Sequence, residues 1–184
     1  ANWKMNPRTV REACDNFQKI KRKMNSLTKA QAVICPPFIF LDSLSKKATS
    51  KCALGAQNVF YEKDGAYTGE ISISMLKEMG CQYVIIGHSE RRKLYFETNA
   101  EVAKKFELVM QAGLRPILCV GETLEEREAK KTLKIVQEQL AVVLALKDNC
   151  SAFSQAVIAY EPVWAIGTGL SATPEQAQEV HAFI

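Results

Sequence analysis

Residues 159–169 read Ala-Tyr-Glu-Pro-Val-Trp-Ala-Ile-Gly-Thr-Gly and complete the short apolar run 156–159. Glu161 therefore falls where a strand gives way to a loop, a position from which a carboxylate faces a pocket instead of a packed core. Pro162, Val163 and Trp164 stiffen the next segment, and Gly167 and Gly169 let backbone N–H groups approach an anion closely. Thr173, Pro174 and Gln176 then supply a cap, a first-turn proline and a capping-box partner, so a helix opens there. A strand-end carboxylate, a stiff hinge, a glycine tip and a capped helix suit a general base beneath a closing loop.

His88 closes another apolar run, 83–87, and is one of two histidines. Taken alone, it reads equally well as a strand-end histidine held by local hydrogen bonds. His181, among polar neighbours on the last helical stretch, reads as a surface residue. Lys4, in Ala-Asn-Trp-Lys-Met-Asn at 1–6, would alone be a solvated lysine, and Glu161 alone an ion-pair partner for an arginine. As a set, these residues supply a base, a neutral or cationic hydrogen-bond donor, a fixed positive charge and a glycine tip for phosphate.

The elements that must position them alternate. Continuous apolar runs at 32–35, 53–56, 83–87, 116–120 and 156–159 predict parallel strands buried on both faces. Between them lie helical patterns. One carries Val10, Ala13, Phe17, Ile20, Met24 and Leu27. Another starts at Thr98 with Glu101 as capping-box partner and runs through Val102, Phe106 and Val109 to Gly113. A third starts at Thr123 with Glu126 and carries Leu133, Val136 and Leu140. Repeated βα units favour a doubly wound sheet or a (β/α)8 barrel. Polar groups recur just after the runs, at Gln57-Asn58, at 88–92, at Glu122 and at Glu161, which is the barrel pattern.

Bulk properties narrow the function classes. The chain has 184 residues, 47% hydrophobic and 24% charged, with net charge +4, as for one globular domain or a large part of one. The basic stretch 19–23 lies on an amphipathic helix and reads as a solvated face, with an anion- or nucleic-acid-binding patch as the weaker alternative. Nucleic acid is not an expected partner. The six cysteines, Cys14, Cys35, Cys52, Cys81, Cys119 and Cys150, form no CxxC pair, so reduced thiols are expected in place of a metal site or disulfide framework. No apolar stretch approaches 18 residues, so no membrane span and no signal peptide are expected, and the reduced thiols suit a cytoplasmic protein.

Four motifs carry a resemblance: Asn-Trp-Lys-Met-Asn at 2–6, Gly-Glu-Ile-Ser at 69–72, Gly-His-Ser-Glu-Arg-Arg at 87–92 and the run 159–169. In order and spacing the chain resembles the triosephosphate isomerase family. The resemblance implies a (β/α)8 barrel, no cofactor and no metal, and a triose phosphate substrate. Glu161 would be the base, His88 a neutral imidazole polarising the carbonyl, Lys4 the charge balance and Asn2 a hydrogen-bond partner of the reacting oxygens. Asn2, Lys4 and Gly167 would bind substrate. Tyr160, Trp164 and Glu122 would serve the lid, and Glu90 and Glu97 would be supporting acids near Lys4 and Arg91. The segment 57–70, from Gln57 to Glu70, resembles the family's dimerisation loop, with Thr68 reaching the other subunit of a homodimer. Leu170 departs from the lysine usual after the glycine pair, which bears on hinge motion.

A closed barrel takes about 250 residues. Against that pattern the first strand is represented by its exit motif alone. The helix opened at Thr173 reaches Ile184 without a C-cap, and the last two βα units have no counterpart. The expectation is a single incomplete barrel domain over 1–184, poorly folded and inactive as an isolated chain because parallel edges stay exposed. Two other readings stand beside the isomerase. A non-catalytic interaction protein would keep the dimer loop, but it sits badly with Lys4, His88 and Glu161 together. Another phosphosugar enzyme would need a buried strand-borne lysine, for a Schiff-base aldolase, or further acids or metal ligands, for an epimerase, and neither appears.

Overall fold

The computed structural model describes residues 1–146 and 153–184; Cys150 lies outside them. The chain forms two compact groups, Ala1–Ile85 with Leu108–Pro116, and Ile86–Glu107 with Ile117–Ile184.

In the first group, β1 (Ala32–Ile34), β2 (Cys52–Ala56) and β3 (Cys81–Ile86) pair in parallel, with Val33 opposite Ala53 and Gly55 opposite Tyr83. Every residue of β2 is buried, as a strand covered on both faces requires. Its register slips between Leu54 and Gly55. A Cβ on Gly55 would stand 2.7 Å from Cys35 Sγ, so only glycine fits there. Helix α1 (Val10–Asn25) begins at Thr9, whose hydroxyl accepts from the Glu12 N–H at 3.2 Å. It buries Ala13 and Phe17 and packs on α2 (Leu41–Ser45) and β2. Val10, at the head of the predicted stripe, is exposed. Helices α2 and α3 (Ile73–Glu78) are too short to announce themselves by periodicity.

Along the second stretch run α4 (Ser89–Leu94), α5 (Asn99–Gln111), β4 (Arg115–Val120), α6 (Leu124–Glu128), α7 (Thr132–Leu144), β5 (Val157–Tyr160) and α8 (Pro174–Phe183). Strands β4 and β5 are parallel, with Leu118 opposite Ile158 and Val120 opposite Tyr160. The capping boxes expected at Thr123 and Thr173 both form, and Thr98 exchanges the expected bonds with Glu101. Two expectations are corrected. The run at 156–159 is not a strand buried on both faces, since in β5 Val157 is exposed and Ile158, Ala159 and Tyr160 are half-buried. The helix predicted from Thr123 through Leu140 is two helices, because Lys130 adopts the left-handed conformation (φ 57°). Lys131 N–H then reaches back to Glu126 C=O at 2.9 Å, closing α6 as a Schellman motif without the glycine that usually signals one. Among the described residues no helix is long and apolar enough to cross a membrane.

Candidate active site

Asn2 and Lys4 belong to the first group. Asn2 bridges Cys35 in the parallel sense, and Lys4 takes φ 53°, a conformation lysine rarely adopts. Two anchors hold it. Lys4 N–H donates to Asn2 Oδ1 at 2.9 Å, and Gln57 Nε2, just past β2, donates to the carbonyls of Lys4 (2.8 Å) and Cys35 (2.9 Å). Residual strain at a fixed position is a common mark of functional sites. In the same group the segment 57–70 folds on itself. Phe60 N–H donates to Ile71 C=O at 2.9 Å, and the Phe60 ring lies 4.6 Å from that of Tyr67, leaving Thr68 exposed.

His88 and Glu161 follow β3 and β5 and meet within the second group. Glu161 Oε1 lies 3.0 Å from His88 Nε2, and Oε2 accepts from Ser89 N–H at 3.0 Å. On the other side of the ring, His88 Nδ1 accepts from Glu90 N–H at 3.2 Å. Because Nδ1 is an acceptor, a neutral imidazole carries its hydrogen on Nε2, pointing at Glu161. Burial pushes the Glu161 carboxyl up, but the bonds from His88 and Ser89 outweigh it, and the group titrates below its ordinary value. It is thus an ionised carboxylate at neutral pH, able to accept a proton. The Glu90 carboxylate stands 3.7 Å from Nδ1.

The backbone under Glu161 is tightly constrained. Its N–H donates to Val120 C=O at 2.7 Å, and a Cβ on Gly121 would fall 1.8 Å from its carbonyl oxygen. Next to Gly121, Glu122 is fully buried. Its carboxylate accepts from Trp164 Nε1 (3.0 Å), Tyr160 Oη (3.0 Å) and Arg127 Nη1 (2.9 Å). The Arg127 guanidinium also lies over the Trp164 ring, 4.9 Å from its centre. Burial and the Glu122 charge raise the Tyr160 hydroxyl pKa, so it stays a donor. Beyond Trp164, Thr168 Oγ1 donates to the Trp164 carbonyl at 2.7 Å, and Gly167 is exposed with φ 70°. A cavity of about 610 Å³ opens here, lined by Gly121, Leu124, Glu161, Trp164, Thr168 and Leu170 among others.

Glu97 is buried and pairs with Arg91 Nε at 3.4 Å and, more closely, with Lys105 Nζ. Sequence reasoning missed Lys105, Arg127, Ser89 N–H and Gln139. For two of these the signal was present. Lys105 and Gln139 each stand in the apolar stripe of a helix, beside Val102, Phe106 and Val109 in α5 and beside Val136, Leu140 and Val143 in α7. A polar group at a core position requires a buried partner.

Parallel α/β units with an ionised carboxylate and an imidazole at strand ends, next to a glycine-tipped segment tied to a buried glutamate, make this an enzyme of the (β/α)8 class suited to acid–base chemistry. The family model described as triosephosphate isomerase matches residues 1–184. A triosephosphate isomerase of Shewanella loihica is 52% identical over 191 residues, covering 100% of this chain and 72% of that protein. Those of Shewanella halifaxensis and Shewanella woodyi are 52% and 51% identical over the same extents. The chain belongs to the triosephosphate isomerase family, and the expected barrel fold and isomerase class stand with it.

Proposed function

We propose that the protein interconverts dihydroxyacetone phosphate and D-glyceraldehyde 3-phosphate, with Glu161 as the base and His88 as the electrophile. One observation carries this reading: Glu161 is held ionised by two donors, and one of them is the imidazole N–H that the reaction needs. When substrate arrives, its carbonyl oxygen replaces the carboxylate as acceptor of His88 Nε2–H. The released carboxylate then takes the proton from the carbon next to the carbonyl. The C–H electrons form the C=C bond of an enediolate, and the carbonyl electrons move to oxygen beside His88. His88 exchanges protons between the two oxygens, and Glu161 returns its proton to the neighbouring carbon, giving the isomer. The family is itself a standard instance of such tuning of a glutamate and a neutral histidine.

The other roles rest on the motif match more than on geometry. Lys4 balances phosphate and enediolate charge, Asn2 bonds the reacting oxygens, and the Gly167 tip donates N–H groups to phosphate. Glu122, Tyr160 and Trp164 latch the lid, and Glu90 and Glu97 support His88 and Arg91. A homodimer through the loop 57–70, with Thr68 at the partner's site, is consistent with the exposed side chains of Leu94, Tyr95 and Phe96. A cytoplasmic location fits the buried thiols of Cys35 and Cys81, whose pKa values burial pushes up to about 11 and about 12. The test is Glu161→Asp in the native-length protein. Shortening the base by one methylene is expected to lower kcat on the order of 10²-fold with KM little changed. Unchanged kcat removes Glu161 from the role, and an inactive wild type removes the isomerase reading.

A further inference from the structure

We infer that Gln139 is a positioning residue for the base, setting the backbone on which Glu161 rides. Gln139 lies on α7 between Val136 and Val143, is 9% exposed, and is the polar member of that helix's buried face. Its side-chain amide makes two bonds to one residue. Oε1 accepts from Gly121 N–H at 2.8 Å, and Nε2 donates to Gly121 C=O at 3.0 Å. A neighbouring strand would satisfy these same two backbone groups, so Gln139 extends the ladder by one residue past the end of β4 at Val120.

The other side of this peptide carries Glu161. Its N–H bonds Val120 C=O at 2.7 Å, and its carbonyl lies where any Cβ on Gly121 would fall. With no side chain between them, a rotation of the Gly121 peptide is transmitted to Glu161 by direct contact. Glu122, which follows, anchors Trp164 and Tyr160. Gln139 thus fixes one peptide from which both the base and the lid anchor hang, and its own carboxamide is occupied by the Gly121 N–H and C=O. Its amide is suited because it places a donor and an acceptor side by side on the same planar group. Neither leucine nor ionised glutamate can replace it.

The inference rests on the isomerase reading, and wild-type activity assayed in parallel separates the two. In the native-length protein, at a temperature where circular dichroism finds both proteins fully folded, Gln139→Leu is expected to lower kcat about 10- to 100-fold. KM should stay within about twofold, since a misplaced base costs rate and not substrate affinity. Gln139→Glu decides the matter if the leucine variant does not fold. A protonated glutamic acid offers the same donor and acceptor as the amide, whereas the carboxylate cannot donate to Gly121 C=O. Its kcat relative to wild type should therefore be near one at low pH and fall at least tenfold toward pH 8. A wild-type kcat in Gln139→Leu, or a flat ratio across pH in Gln139→Glu, overturns the inference. An inactive wild type instead overturns the isomerase reading.

Discussion

Glu161 Oε1 sits 3.0 Å from His88 Nε2 while its Oε2 takes Ser89 N–H at the same distance, so one histidine-serine step clamps both oxygens of the carboxylate. The clamp, not exposure, keeps the group ionised, since burial alone works the other way. Replacing His88 with Leu removes one clamp and leaves the burial. The Glu161 pKa should then rise, observed by carbon NMR of the labelled carboxylate. An unchanged or lower value contradicts this account. In the wild type the depressed carboxyl contributes stability that is fully present above the unfolded value of about 4.3 and is lost as pH falls through the lower folded value.

Glu122 holds Trp164, Tyr160 and Arg127 with one fully buried carboxylate. Replacing it with Gln keeps the size but loses the charge facing Arg127 and presents a donor to three donors. Breaking such a buried pair costs about 3 kcal/mol or more. Urea denaturation should register that loss. In a Trp3→Phe background, Trp164 fluorescence should also become more readily quenched by acrylamide. Wild-type quenching would show that Glu122 does not anchor the segment.

Gly121 is glycine because Glu161 occupies the space of a Cβ, 1.8 Å from its carbonyl oxygen. Gly121→Ala must push the backbone of the base aside. The expected loss is about 1–3 kcal/mol in stability, together with a fall in kcat on the order of 10²-fold at similar KM. Steady-state kinetics with a denaturation curve test both, and a fully active alanine variant contradicts the close approach.

Lys105 and Glu97 are 4% and 7% exposed, and they pair inside the second group. Lys105→Met leaves Glu97 buried opposite the half-exposed Arg91 and should cost about 3–5 kcal/mol. Adding Glu97→Leu should recover most of it, because the uncompensated charge is then gone. Additive losses in this double-mutant cycle would mean that the two residues are not coupled.

The sequence carried what periodicity and local chemistry encode. Alternating apolar runs located the strands to within a residue or two, and the Thr123 and Thr173 boxes marked helix starts because capping is settled within four residues. The strand-end position of His88 was legible because β3 is buried along most of its length, which leaves its end for polar chemistry. Glu161 was legible from the apolar run before it, although β5 is only partly buried, with Val157 exposed. Tertiary structure alone decided the rest. Lys130 ended α6 in a conformation its residue type does not advertise. Glu97 found Lys105 in addition to Arg91, Glu122 gathered three donors, and the polar Gln139 in an apolar stripe proved to bind a particular glycine peptide. Propensity and capping act between neighbours in the chain. The partner of a buried polar group is instead fixed by which elements pack against it, and that is set only when the chain folds.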